Sequence, residues 1–279
     1  MNGYQKIHAI LEQALATSNN IHLLGEALEL SPDTHGLLPK YPEQCHLLPA
    51  SDNAMLGLAI GMAFVGSRPI LHLAGPQSLW TLLAQLGQEV SNSGAEFPLP
   101  IIIRVPVGPN EQLMLQQLQH LTGICVAAPS SAAQAAAMLE AALEAKHPTL
   151  LIEDRQVLQE SATQPAAKDI QHAEIPVTGD QSTLVAWGAA VHTAQEVALE
   201  LQQSGISVEV VDLRILHPVD SQTLCHSINK TGRPIFVDMP TTALEKMISG
   251  AFWRLENQPQ NISHNREKMK EAIFASLRY

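Results

Sequence analysis

Short apolar runs alternate with longer segments of helical periodicity along the first part of the chain. The run at 99–105, LPIIIRV, is almost continuously apolar, which is typical of a strand buried on both faces of a parallel sheet. The same pattern predicts strands at 21–24, 69–73, 123–127 and 149–153 and helices at 1–15, 53–65, 79–91 and 132–145. Strands that alternate with helices in this way predict a parallel sheet covered by helices on both faces.

A polar, aperiodic segment at 159–182 separates this series from a second one. The second series predicts strands at 183–187, 207–213 and 234–238, helices at 191–204, 220–229 and 242–255, and no strand after residue 257. The Pro- and Gly-rich segment 31–49 is expected to be a loop. We therefore expect an α/β protein with two doubly wound domains, at 1–158 and 183–279, joined by a linker at 159–182.

Composition narrows the classes of partner. Of the 279 residues, 46% are hydrophobic and 15% are charged, which is typical of a well-buried globular protein and favours a surface partly covered by another chain. The net charge of −11 argues against nucleic acid and anionic membranes, and no apolar run is long enough to span a bilayer. Three widely separated cysteines favour reduced thiols in the cytoplasm, and the absence of any metal-ligand spacing predicts no metal site in this chain.

Two acidic residues lie where a parallel sheet is expected to bind ligands. Glu26 follows the first predicted strand, at the carboxyl edge of the sheet. Asp52 lies just before the predicted helix at 53–65, but Ser51, Asp52 and Asn53 are also typical N-cap residues. Asp52 is therefore either a helix cap or a functional carboxylate.

Two segments carry a resemblance to a known family: PASDNAMLGLAIGMAFVGSRP at 49–69 and FPLPIIIRVPVGP at 97–109. In this order and at this distance they resemble the beta subunit of the thiamine-diphosphate-dependent decarboxylating component of 2-oxo acid dehydrogenases. TLVAWGAAVHTAQEVALEL at 183–201 and ISVEVVDLRILHPVD at 206–220 are similar to the C-terminal domain of that family. The resemblance implies a transketolase-like, pyrimidine-binding first domain and a transketolase C-terminal-like second domain.

The resemblance implies a catalytic role for Asp52. In the family, a glutamate accepts a hydrogen bond from the aminopyrimidine ring of thiamine diphosphate, and Asp52 aligns with this glutamate but is one methylene shorter. A carboxylate bonded to a ring nitrogen needs a heavy-atom distance of about 2.7 Å, so the shorter side chain matters unless the backbone moves closer. Glu26 and the retained Gln112 are expected to support the same site.

Two other positions of the expected site depart from the family. Gly75 falls where the family has an aromatic residue against the pyrimidine, and Asn110 falls where it has a catalytic histidine. Asparagine cannot transfer a proton, so His72 and His120 are candidate replacements, each with a structural or surface role as the alternative. The positions expected to line the cofactor are therefore Glu26, Asp52, Gly75, Asn110 and Gln112.

The resemblance also implies partner chains. The sequence has no phosphate-binding motif, which fits a family whose alpha subunit holds the diphosphate and its Mg²⁺. Gly57 and Gly61 lie one helical turn apart and form either a subunit interface, as in the family, or a close contact with the chain's own sheet. We expect a heterotetramer with an alpha-type chain, self-association, and docking to a lipoyl acyltransferase core. The family's potassium loop is matched by 145–148, where the Lys146 ammonium is a candidate to replace the ion.

Two functions of different classes follow from this resemblance. The first is a beta-type subunit that decarboxylates a 2-oxo acid together with an alpha chain and passes the acyl group to lipoyl groups. The second, favoured by Gly75 and Asn110, is a catalytically degenerate paralogue that acts as a structural or regulatory partner or in a simpler thiamine-dependent reaction. Half of a split transketolase-like enzyme ranks below both, because PIIIRVPVG and DLRILHPVD resemble the dehydrogenase branch more closely.

Overall fold

A computed structural model of the chain describes residues 1–90, 98–108, 123–161, 172–239, 255–257 and 259–278. The chain divides into two compact units, Met1–Lys168 and Asp169–Tyr279. Each unit contains its own sheet with helices packed against it. The expected α/β fold with two doubly wound domains is confirmed. None of the described helices combines the length and the apolar content needed to cross a bilayer.

The first unit is built on parallel strands. These are β1 (Ile21–Gly25), β2 (Cys45–Leu47), β3 (Arg68–His72), β4 (Ile102–Val107), β5 (Cys125–Ala127) and β6 (Thr149–Asp154). They lie in the order β5-β6-β4-β3-β1-β2. Because β2 lies on one side of β1 and β3 on the other, the winding direction reverses between β1 and β3, which is where open α/β sheets bind ligands.

Helices cover this sheet and form its core. They are α1 (Gly3–Thr17), α2 (Leu37–Lys40), α3 (Asp52–Phe64), α4 (Pro76–Gln85, followed by a π-helical turn at Leu86–Val90), α5 (Ala132–Glu144) and α6 (Arg155–Gln159). A capping box between Asn2 and Gln5 starts α1, which buries Ile7 and Leu11. Helix α1 packs against α5. A Cβ atom on Gly3 would lie 2.9 Å from the Leu158 backbone in α6, so the close approach of α1 to α6 requires glycine.

The second unit has a mixed sheet. The strands of this sheet are β7 (Glu174–Val177), β8 (Ser182–Ala186), β9 (Val208–Asp212), β11 (Pro234–Val237) and β12 (Gln260–Ile262). The unit also contains the short strand β10 (Ile215–His217), which is not part of this sheet, and the helices α7 (Ala190–Gln203), α8 (Ser221–Thr231) and α9 (Arg266–Leu277). The sheet order is β12-β11-β8-β9-β7, with β7 antiparallel to β9 and the other pairs parallel.

The sequence-based predictions missed the shortest strands. The expectation of no strand after residue 257 is wrong, because β12 pairs with β11 and is followed by α9. Part of the expected linker forms β7, and part of the expected loop at 31–49 forms α2 and β2. Each missed strand has only three or four residues and lies at a sheet edge or beyond the apolar runs. Most of the predicted helix at 242–255 lies outside the described residues.

Candidate functional site

The carboxyl ends of β1 and β3 approach each other closely. A Cβ atom on Gly25, the last residue of β1, would lie 2.8 Å from the His72 carbonyl oxygen at the end of β3. Only glycine permits this approach. It brings the segments that follow the two strands together at the reversal point of the sheet, and these segments begin with Glu26 and Leu73.

Asp52 is the first helical residue of α3 rather than its cap. Ser51 is the N-cap residue, and its side chain makes no capping hydrogen bond. The half-buried Asp52 carboxylate has no hydrogen-bond or ion-pair partner among the described residues. The N-terminus of the 13-residue helix favours a negative charge at this position. Asp52 therefore does not cap α3, and its role as a functional carboxylate stays a prediction.

Glu26 and Gly75 occupy the expected edge of the sheet. The half-buried Glu26 carboxylate also lacks a hydrogen-bond partner within the described part of the chain. Gly75 is buried, and its carbonyl oxygen accepts a hydrogen bond from the backbone N–H of Ser78, 3.2 Å away, at the start of α4. Because Gly75 has no side chain, it offers no stacking surface. Asn110, Gln112 and His120 lie outside the described residues.

A buried charged cluster, which the sequence interpretation did not identify, lies in the interior of the same unit. We call Asp33, His72, Arg104 and Glu153 the Arg104 cluster; every member is at most 4% exposed. Arg104 on β4 donates from Nε to Glu153 Oε1 at 3.1 Å and from Nη2 to Glu153 Oε2 at 2.7 Å, and its Nη2 also contacts the Asp33 carboxylate. This arrangement joins β4, β6 and the segment after β1.

Burial and the Arg104 charge act in opposite directions on the two carboxylates of the cluster. Burial alone would raise the pKa of Asp33, but Arg104 and His72 outweigh it, so that this pKa lies below its ordinary value. Burial raises the pKa of Glu153, and Arg104 offsets it only in part. The paired carboxylates outweigh the effect of burial on Arg104 and raise its pKa. The guanidinium therefore stays charged, as a buried cation with two carboxylate partners must.

His72 lies beside Arg104 in the register of β3 and β4. Burial and the Arg104 charge lower the pKa of His72 to about 4, although Asp33 opposes them. Its Nδ1 has no hydrogen-bond partner within the described residues. A neutral imidazole enclosed in the Arg104 cluster fits the structural alternative for His72 better than proton transfer to a ligand.

Helix α3 exposes a face of small and apolar residues. Gly57, Leu58, Gly61 and Phe64 are all exposed on it. A Cβ atom on Gly61 would meet no described atom within 4 Å, and one on Gly57 would meet only Gln85 Nε2 at 3.6 Å. Packing against the chain's own sheet therefore does not explain the two glycines.

Comparison with known proteins agrees with the fold and with the sequence resemblance. Residues 4–160 match the family described as "Transketolase, pyrimidine binding domain". The chain belongs to this transketolase family. Residues 171–254 match the family described as "Transketolase, C-terminal domain".

Several proteins similar to this chain are named as beta subunits of dehydrogenases. The pyruvate dehydrogenase E1 component subunit beta of Rhizobium meliloti is 30% identical over 74% of this chain, which spans 48% of that relative. The same-named subunit of Acholeplasma laidlawii is 26% identical over 91% of this chain and 86% of its own length. The 2-oxoisovalerate dehydrogenase subunit beta of Bacillus subtilis is 26% identical over 86% of this chain and 80% of its own length.

Solved structures show the same fold at lower identity. A protein described as "Split gene transketolase, inactive beta4 tetramer" aligns with a TM-score of 0.80 over 99% of this chain and 98% of its own length, at 19% identity. A transketolase of Pichia stipitis aligns with a TM-score of 0.71 over all of this chain and 48% of its own, at 16% identity.

Proposed function

We propose that this chain is the beta-type subunit of a thiamine-diphosphate-dependent 2-oxo acid dehydrogenase. Relatives named as beta subunits of pyruvate and 2-oxoisovalerate dehydrogenases support this assignment. The subunit shares its site with an alpha-type chain, which holds the diphosphate and Mg²⁺. The pair decarboxylates a 2-oxo acid and transfers the acyl group to lipoyl groups of an acyltransferase core.

The observation that carries this proposal is the Asp52 carboxylate. It is half-buried at the start of α3 and has no partner in the described part of the chain. A carboxylate in this state suits a ring N–H donor, because it gains a charge-assisted hydrogen bond without breaking an existing one. The same carboxylate holds the proton of that ring nitrogen in place. Glu26 supplies a second acceptor at the adjacent strand end.

The described residues fit only the pyrimidine end of the cofactor. Asp52 and Glu26 accept hydrogen bonds, and Gly75 leaves room for a ring without stacking on it, which forgoes about 0.5–1.5 kcal/mol. Two carboxylates are unsuited to a diphosphate, which agrees with an alpha-type chain holding that end. When bound, thiamine diphosphate supplies the carbon that attacks the 2-oxo acid and stores the electron pair released with CO₂.

The exposed face of α3 is the proposed contact with a partner chain. Phe64 is 54% exposed and the adjacent Val65 is 82% exposed. Gly57 and Gly61 would let a second backbone approach closely, since neither position has a packing reason within the described residues. An alpha-type chain is the proposed occupant in the active assembly, and a second copy of this chain is the occupant in its absence.

The experiment is purification of the chain from its own cells, with identification of co-purifying chains and assay of bound thiamine diphosphate. The complex is then assayed with pyruvate and branched-chain 2-oxo acids, with reduction of 2,6-dichlorophenolindophenol as readout. In the reconstituted complex, Asp52→Asn should lose at least about tenfold in turnover and Asp52→Glu should retain or raise it, because glutamate restores the longer reach. Equal turnover in the wild type and Asp52→Asn would refute the role of Asp52.

A degenerate paralogue is the second candidate, and Gly75 favours it because it removes the stacking contact. This candidate predicts a self-associated chain without thiamine diphosphate and without 2-oxo acid turnover. The structural relative described as an inactive beta4 tetramer supports self-association of beta-type chains without a partner. Recovery of an alpha-type chain with bound cofactor and turnover would exclude this candidate.

A further inference from the structure

A guanidinium group occupies the C-terminal end of α5. Arg68, the first residue of β3, donates from Nη1 to the carbonyl oxygens of Ala145 at 2.6 Å and Ala142 at 3.2 Å. The last carbonyls of a helix lack intrahelical donors and carry the negative end of the helix dipole. One nitrogen therefore bridges two carbonyl oxygens in the place where a cation is most favourable.

Among the described residues, no other side chain with a positive charge donates to these two carbonyl oxygens. The last turn of α5 has no basic residue. Lys146, the sequence-based candidate to replace a potassium ion, is exposed and has no hydrogen-bond or ion-pair partner among the described residues, so the structure gives it no contact with this helix end. Arg68 reaches the site from another element of the sheet, 77 residues away along the chain from Ala145. This long-range contact is the reason that the sequence pattern did not reveal it.

A main-chain hydrogen bond holds Arg68 at the start of β3. The Arg68 N–H donates to the Asn20 carbonyl oxygen at 2.7 Å, just before β1. Partial burial lowers the pKa of Arg68 from its ordinary value and Glu144 opposes this change, but a guanidinium remains protonated at neutral pH. The positive charge is thus permanent and is tied to the start of β3.

We propose that Arg68 is an internal cation that takes the place of a bound monovalent metal ion at this helix end. A potassium ion is held by several carbonyl oxygens that replace its hydration shell. Here two of the available carbonyl oxygens already accept from Arg68, so the residues present do not fit a potassium ion. The protein therefore holds α5 against the sheet without a requirement for potassium.

The first test compares the melting temperature of the full chain in KCl, NaCl and tetramethylammonium chloride at equal ionic strength. We expect the same value in all three salts, and substoichiometric potassium after dialysis against sodium buffer. An ion bound only by the folded state at 100 times its dissociation constant would raise the melting temperature by roughly 5–10 °C. Such a potassium-specific rise, or one potassium per chain after dialysis, would overturn the proposal.

The second test identifies the residue that supplies the charge. Arg68→Met should lower the melting temperature by roughly 5–10 °C, because it removes charged hydrogen bonds to two carbonyls. The matched control Lys146→Met, at the same helix end, should leave it unchanged. Should Arg68→Met fail to fold, Arg68→Lys keeps the charge with one ammonium and is expected to show an intermediate value. A melting temperature unchanged in both Arg68 variants, or lowered as much by Lys146→Met, would overturn the assignment.

Discussion

Replacement of Arg104 tests the energetics of the buried Arg104 cluster. Arg104→Met keeps most of the volume but leaves the carboxylates of Asp33 and Glu153 buried without a cation. Breaking a buried ion pair by removal of one partner costs about 3–5 kcal/mol of the free energy of unfolding. At roughly 2–4 °C per kcal/mol, the melting temperature should fall by roughly 6–20 °C at neutral pH.

The pH dependence of the stability lost in Arg104→Met tests the reasoning more strictly than the size of that loss. In the wild type, the pKa of Asp33 is lowered, so its contribution to stability is present above its ordinary pKa and is lost as the pH falls below about 4. Without Arg104, burial raises the pKa of both carboxylates. Their cost then grows as the pH rises through the folded-state pKa values, and acid relieves it. Arg104→Met should therefore be more stable at pH 5 than at pH 7.

Urea denaturation at pH 7 and pH 5, followed by circular dichroism, measures both effects. The gain of the variant at pH 5 is bounded by about 1.4 kcal/mol per pH unit for each carboxylate. Arg266→Met is the control, since it removes exposed ion pairs with Glu196 and Glu200 and should change stability little at either pH. A variant within about 1 kcal/mol of the wild type at pH 7, or one destabilised equally at both pH values, would refute the reasoning.

Other predictions follow from single positions. Because the pKa of His72 is about 4 when folded and about 6.5 when unfolded, the wild type should lose up to about 3 kcal/mol as the pH falls from 6.5 to 4, and His72→Gln should lack this loss in urea titrations. Gly179→Ala places a Cβ atom 2.2 Å from the Val208 carbonyl carbon. In thermal denaturation it should lower the free energy of unfolding by roughly 3 kcal/mol. Gly61→Ala should instead raise the free energy of unfolding of the isolated chain by about 1 kcal/mol, because its Cβ atom meets no described atom within 4 Å. Gly61→Leu should weaken assembly with the partner chain in sedimentation experiments.

Long apolar runs made most of the fold predictable. The run LPIIIRV predicted a strand at 99–105, and β4 occupies Ile102–Val107, displaced by a few residues. By contrast, β12 consists of Gln260, Asn261 and Ile262, which form no apolar run and are held by backbone pairing with β11. A strand specified by its neighbour rather than by its own residues cannot be identified from local periodicity.

The residues of the first unit discussed above also divide into those placed by a local feature and those brought together only by the fold. The places of Glu26 and Asp52 in the fold were predictable because each directly adjoins a local feature, a strand end and a helix start, whereas their role in a site stays a prediction. The Arg104 cluster was not, since Arg104 lies 49 residues from Glu153 and 71 from Asp33 along the chain. Only the pairing of β4 with β6 and the path of the chain after β1 bring these groups together. The single charged residue within the apolar run of β4, Arg104, was the signal that could have suggested a buried ion pair.

The buried arginines and the proposed site positions differ in where their interaction partners lie. Arg104 and Arg68 bind groups of this chain, and each stabilises the fold whether or not a ligand is present. The Asp52 side chain has no such partner among the described residues, and Gly75 has no side chain, so we expect any contribution of these two side-chain positions to depend on a cofactor or on another chain. Under the proposed function, we therefore expect the shorter carboxylate at Asp52 and the missing ring at Gly75 to weaken cofactor binding and to leave folding intact. It follows that a cofactor-binding measurement on Asp52→Glu, rather than any measurement of stability, separates a weakened enzyme from a degenerate one.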